Sequence, residues 1–324
     1  MKRILKFALA GAITLSAIAA HAEEVTLYTS NSEDSVQAAL DAVKAQAPDL
    51  NVSIVKAGSG TLLKRIQAES ANPAADVFWS SGFATLASFK KNFANYRSIQ
   101  IDAIPMEMRG PDDLWTGTNV HVMVLMVNDR QLDGREKPRT WSDILDDKWK
   151  GVVSMSDPNS SSSAYAQLYG IWKMFGAQGV EKLAKIVATQ GSTSSVYKGV
   201  AQGEYPVGIT MEYAAHRYVA GGQREISLIY PSEGTFLSPE GLILVKSAPH
   251  SEAAKRLYDI LLSKAAQSKI FAVSFRRPSR KDVDDVVSAS GLPPFGDVNV
   301  FEVDQVEASG KRAKLLSLWN EAKK

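Results

Sequence analysis

Hydroxyl and amide side chains gather at the exits of three early β-rich runs, a pattern suited to holding an anion. Val25 to Tyr28 is followed by Ser30, Asn31 and Ser32, Val52 to Val55 by Ser59, Gly60 and Thr61, and Asp76 to Trp79 by Ser80 and Ser81. Each group leads into a stretch with helical spacing. Its hydroxyls would therefore share space with the unpaired N–H groups of a helix N-terminus, where the dipole favours negative charge. A fourth group, Ser160 to Ser163, precedes a helix predicted over Ala164 to Phe175 and adds Ser161, Ser162 and Ser163. A cup of such neutral donors suits a phosphate or phosphonate without clustered lysines or arginines. Taken singly, each serine reads as an ordinary cap or turn residue. Their recurrence at three strand exits is what points to a ligand.

Catalytic chemistry has little to build on. Beyond the first 22 residues the histidines are His121, His216 and His250, with no pair at helical metal-ligand spacing, no GxSxG elbow and no Walker loop. His121 lies in an apolar run and reads as a core histidine. No catalytic residue, metal ligand or cofactor is expected.

The first 22 residues have the make-up of an export leader. Lys2, Arg3 and Lys6 precede an uncharged stretch from Phe7 to Ala20, and Ala20-His21-Ala22 supplies small residues at the cut. The apolar stretch is shorter than the roughly 20 residues a spanning helix needs. The expected mature chain starts near Glu23 and is periplasmic. With no cysteine in the sequence, it has neither a disulfide framework nor a lipoprotein anchor. Without the leader, 34 basic residues face 35 acidic ones. That near-neutrality argues against nucleic acid, whose phosphates demand clustered positive charge. The pairs Lys90-Lys91 and Arg276-Arg277 read as solvated faces.

The elements that must position the serine loops alternate, which is the signature of α/β layers on a largely parallel sheet. Val36, Leu40, Val43 and Ala47 mark one helical face, stopped by Pro48. Val120 to Val127 is apolar on both faces apart from His121 and suits a buried strand. Thr140 to Trp149 reads as a short helix capped by Thr140, Val152 to Met155 as a strand, Gly203 to Thr210 as a turn and strand, and Tyr213 to Val219 as a helix. In open α/β sheets ligands sit beyond the carboxyl ends of the strands, where these loops converge.

Five segments resemble periplasmic solute-binding proteins of ABC importers, in the branch containing ferric-iron, sugar-phosphate, aminoethylphosphonate, polyamine and thiamine binders. They are Val25-Thr26-Leu27-Tyr28-Thr29, Ala75-Asp76-Val77-Phe78-Trp79, Thr140-Trp141-Ser142-Asp143-Ile144-Leu145 through Lys148-Trp149-Lys150-Gly151, Gly203 to Thr210, and Glu233 to Gly241. The resemblance implies two α/β lobes joined by hinge crossover strands and closing on a solute. Val120 to Asn128 would be the first crossing, and Phe236 to Val245 the return. The implied division is a signal peptide over 1–22, lobe one over 23–118 and again over 236–324, and lobe two over 119–235. The implied partners are a small anionic solute and a membrane permease, with the chain acting as a monomer.

Iron binders of this branch commonly use a His, an acid and a Tyr pair. Those positions fall on Ser32, Ser81, and Glu212 with Tyr213, so three of four differ. Tyr165, Tyr169 and Tyr197 remain available to an iron reading. The expected ligand is a phosphorylated solute held by the serine loops. Glu212, Tyr213 and Glu233 would then face hydroxyls or an amine at its other end.

Overall fold

The computed structural model describes residues 23–324, and the leader expected over 1–22 lies outside them. The chain begins with β1 (Glu23–Thr29), α1 (Glu33–Gln46), β2 (Leu50–Lys56), α2 (Ser59–Ala68), β3 (Val77–Gly82), α3 (Phe83–Ala87), β4 (Phe93–Ala94) and β5 (Thr116–Asn128). It continues through β6 (Val153–Ser156), α4 (Ser162–Ile186), β7 (Val187–Gln190), α5 (Thr193–Gln202), β8 (Val207–Met211), α6 (Glu212–Ala220) and β9 (Ile226–Ile229). It closes with β10 (Leu237–Val245), α7 (Ser251–Leu262), α8 (Lys264–Ser274), β11 (Arg277–Pro278), α9 (Asp284–Ser288) and α10 (Gln305–Ala322). No helix of the described residues is long and apolar enough to cross a membrane.

Two sheets share one strand. In the first, β1 lies parallel between β2 and β3, and β10 runs antiparallel between β3 and β5. The second has the order β5-β8-β6-β7, with β9 also on β5. Thr116 to Val122 pair with β10, whereas Met123 to Val127 pair with β8. β5 thus carries the chain from one lobe to the other, and β10 returns beside it. Val122 to Val127 are buried, as a strand covered on both faces requires.

The cores follow from the period of two along strands. Leu27, Val77 and Leu242 face one side of the first sheet and pack against α1, α7 and α8. Their neighbours Tyr28, Phe78 and Ile243 face the other side with Leu62 and Leu63 of α2. The second lobe is built on Val124, Met126, Trp141, Trp149 and the apolar face of α4.

Three expectations need correction. The helix expected over Thr140 to Trp149 is two single 3₁₀ turns, Asp143–Leu145 and Asp147–Trp149, although Thr140 does accept from the Asp143 N–H at 2.9 Å. The helix expected to stop at Phe175 continues to Ile186 across a kink, where Gly176 takes φ 65°. The C-terminal helix, expected with lobe one, buries Ala308, Leu315 and Trp319 in the second lobe's core and packs against both α4 and α3.

Candidate functional site

Five parallel or sheet-end strands deliver their exits to one cavity of about 770 Å³. From the first sheet come Ser30, Asn31 and Ser32 after β1 and Gly58 and Ser59 after β2; from the second come Ser160 to Ser163 after β6, Gly191 to Ser194 after β7 and Tyr213 after β8. The first turns of α1, α2, α4 and α5 therefore line the same space, each bringing the positive end of a helix dipole toward it. Local sequence explains these helix starts. Ser161 caps α4 by accepting from the Ala164 N–H at 3.3 Å, and Ser192 caps α5 by accepting from Ser195 at 3.1 Å. Gly203, in the left-handed conformation at φ 83°, ends α5.

Hydroxyls from α4 and α5 meet in a triangle. Ser161 Oγ lies 3.0 Å from Ser163 Oγ and 3.1 Å from Thr193 Oγ1, and Ser163 is 3.3 Å from Thr193. Each hydroxyl can rotate its proton toward a neighbour or toward a bound oxygen. The triangle can thus present donors to an anion without moving a heavy atom.

The hinge side of the cavity is charged and buried. Arg276, 4% exposed, donates from Nη1 to Glu240 Oε2 at 2.9 Å and from Nη2 to the Tyr213 hydroxyl at 2.8 Å, with its guanidinium carbon 4.0 Å from the centre of the Tyr213 ring. Burial pushes the Glu240 carboxyl up, but His121 and Arg276 pull harder the other way and hold it down at about 2. His121 Nε2 stands 3.3 Å from the same carboxylate and 2.9 Å from Arg276 Nη1. It serves the first only as a donor and the second only as an acceptor, so a proton on Nε2 strengthens one contact and ends the other. Burial also pushes the Tyr213 hydroxyl well above the ordinary tyrosine range.

The lobes touch across the opening. Ser59 Oγ donates to Ser162 Oγ at 3.0 Å and accepts from the Ser162 N–H at 3.1 Å, while the Gly60 N–H donates to the Ser160 carbonyl at 3.1 Å. A Cβ on Gly58 would sit 2.9 Å from that same carbonyl oxygen, so glycine is what permits this approach. Asp34 and Arg217 form an ion pair at 2.5 Å nearby.

Of the expected site residues, Ser30, Asn31, Ser32, Ser59, Ser161, Ser162, Ser163 and Tyr213 line the cavity. The others are placed elsewhere. Gly60 is committed to the contact with Ser160, and Thr61 is exposed on α2. Ser80 lies behind the wall, bonded to Ser30 and donating to Glu240 Oε1 at 3.2 Å. Ser81 is buried at φ 80° with no partner for Oγ among the described residues. Glu212 turns away into a buried ion pair with Arg277 at 2.7 Å and accepts from Tyr230 at 2.6 Å. Glu233 caps the turn at Trp141, accepting from the backbone N–H groups of Trp141 and Ser142. Both glutamates are consumed by structure rather than offered to a solute.

Sequence reasoning missed His121, Glu240, Arg276, Arg217, Lys56 and Lys198, all of which line the cavity. The Arg276-Arg277 pair, read as a solvated face, is buried at 4% and 5% exposure, each arginine bound to a glutamate. Of the tyrosines open to an iron reading, Tyr197 lines the cavity. Tyr165 instead donates to the Ala308 carbonyl and Tyr169 to Glu307 at 2.8 Å, both against α10.

Residues 72–296 match the family described as bacterial extracellular solute-binding protein. A relative in Salmonella typhimurium, named for binding 2-aminoethylphosphonate in the periplasm, is 27% identical over 261 residues, covering 74% of this chain and 72% of its own. Among solved structures, the periplasmic binding protein AfuA from Actinobacillus pleuropneumoniae with fructose-6-phosphate superposes with a TM-score of 0.83 at 22% identity, covering 92% of this chain and 98% of that one. Iron-bound HitA from Pseudomonas aeruginosa gives 0.79 at 22% identity, covering 93% and 99%. Both superpositions show the two-lobe binding-protein fold. The chain belongs to the bacterial extracellular solute-binding protein family and is a periplasmic solute-binding protein.

Proposed function

We propose that this protein captures a small phosphorylated solute, a sugar phosphate or a phosphonate, and releases it unchanged to the membrane permease of an ABC importer. The observation that carries the reading is the convergence of four helix N-termini and the Ser161-Ser163-Thr193 triangle on one cavity. That arrangement offers many donors, and the acids of the lining, Glu33, Asp34 and Glu240, are each paired with a cation, Lys56, Arg217 and Arg276, which leaves the donors to a phosphoryl group. The cavity is far larger than phosphate alone, and Tyr197, Tyr213 and Tyr218 line it, leaving room for an organic portion. The relative named for aminoethylphosphonate and the neighbour holding fructose-6-phosphate support this class.

Relatives named for ferric iron make that cation the rival reading. The geometry at Tyr213 speaks against it. The Tyr213 oxygen accepts from Arg276, so a ferric ion bound there would stand beside a guanidinium.

Capture would proceed by closure of lobe one, 23–118 with 236–304, onto lobe two, 119–235 with the last helix. The solute would seat on the α4 and α5 ends, and Ser59 would then reach Ser162. Native mass spectrometry of protein purified from periplasm, followed by denaturation, tests the reading. A released phosphate- or phosphonate-bearing molecule is the expected result; released iron with citrate overturns it.

A further inference from the structure

Lys198 is the cation of the cavity lining that no acid answers. Arg276 is met by Glu240, Arg217 by Asp34 and Lys56 by Glu33, whereas Lys198 makes no ion pair among the described residues. It stands four residues after Ser194 on α5, so the two share a face of that helix, and both line the cavity. Helical Cα–Cβ bonds tilt toward the N-terminus, so the Lys198 stem leaves α5 on the side of Thr193 and Ser194, within reach of which its ammonium can swing. The free positive charge therefore belongs to the same end of the cavity as the hydroxyl triangle.

We infer that Lys198 is a specificity-determining residue that reads the second negative charge of a phosphate monoester, separating dianionic esters from monoanionic esters of the same shape. This rests on the phosphorylated-solute reading. Hydroxyl and backbone donors serve the terminal oxygens of a sulfate ester with nearly the geometry they give a phosphate ester. An ammonium adds a full unit charge, and its Coulomb attraction scales with the charge it meets. Lys198 is exposed at the edge of the cavity, so the attraction is subject to screening and is compared at one fixed salt concentration. Lysine suits this task because its long stem lets a compact charge follow the phosphoryl group without fixing its orientation.

The test is calorimetry with glucose 6-phosphate and glucose 6-sulfate at one salt concentration, well above the phosphate's second pKa of about 6. The unaltered protein, Lys198→Gln and Lys198→Arg are compared, with thermal melts to confirm folding. The unaltered protein should prefer the phosphate ester by about tenfold or more, the scale of one charge-assisted hydrogen bond. Lys198→Gln should shrink that preference to about twofold while still binding both esters, and Lys198→Arg should keep most of it. A preference unchanged in Lys198→Gln overturns the role of Lys198 and leaves the phosphate reading standing. The pair 2-aminoethylphosphonate and 2-aminoethanesulfonate is titrated alongside, and failure of the unaltered protein to bind any of the four compounds overturns the phosphate reading and this inference with it.

Discussion

Asp34 and Arg217 lie 2.5 Å apart across the cleft, although they are separated by 183 positions in the chain. Asp34 sits in the first turn of α1 and Arg217 in the last turn of α6, so each complements its own helix dipole before meeting the other. Burial tends to lower the Arg217 pKa, but the bond to Asp34 outweighs it, and the net shift is upward. The pair joins the two sides of the cavity, and its geometry exists only when the lobes are together.

Asp34→Asn should therefore weaken solute binding by a few fold, since partly exposed ion pairs are worth about 0.2–1 kcal/mol. The effect should fade as salt is raised, because screening already weakens the pair in the parent protein. Titrations of both proteins over a range of salt concentrations would show this. A loss that stays constant with salt would mean Asp34 acts through something other than Arg217.

Gly58→Ala addresses closure itself. The new Cβ would meet the Ser160 carbonyl oxygen at 2.9 Å, a backbone atom that cannot swing aside. The variant should keep its melting temperature, since the clash arises between lobes, yet should bind more weakly and show a larger radius of gyration in solution scattering with solute present. A radius equal to that of the solute-bound parent would remove Gly58 from the closing contact.

How far the site could be read from sequence depended on whether a local signal existed. Serines at strand exits announce helix caps and loops, so Ser30, Ser32, Ser59 and Ser161 to Ser163 were legible, and they line the cavity. The alternation of elements and the long apolar run of β5 were legible for the same reason. Arg276 was not. Its burial is set by Glu240, 36 residues away, and Tyr213, 63 residues away, and a dibasic step after a helix has no local mark of either. Glu212 and Tyr213 show the limit more finely. They are adjacent at the start of α6, and one residue along a helix turns the side chain by about 100°, so one faces the cavity and the other meets Arg277.

Glu240 makes acid stability a readout of the hinge-side network. Its carboxyl is held at about 2 in the folded protein against an ordinary value of 4.5. A folded value below the unfolded one means the carboxylate stabilises the fold fully above about 4.5, and this contribution is lost as pH falls toward 2. Glu240→Gln should cost about 3–5 kcal/mol at neutral pH by leaving Arg276 buried without its counter-charge. The deficit relative to the parent should narrow through the acid window. Denaturant titrations at neutral pH and near pH 3 would measure both, and a deficit independent of pH would rule out the ion pair as its cause.

Thr193→Val removes one corner of the hydroxyl triangle while keeping the shape of the side chain. Phosphate-ester affinity should fall by about tenfold, as expected for one hydrogen bond to a charged group. Stability should change little, because the helix cap on α5 is Ser192. An affinity equal to the parent's would place the phosphoryl group elsewhere in the cavity.

The central claim, that the cavity is built for a phosphorylated solute, is tested most directly by calorimetry of the solute-free protein against hexose phosphates, 2-aminoethylphosphonate and ferric citrate in one buffer. Saturable one-to-one binding of at least one phosphorus compound, with no response to ferric citrate, is the predicted result. Tight ferric binding with a tyrosinate-to-iron absorption band, and no heat from any phosphorus compound, would contradict it.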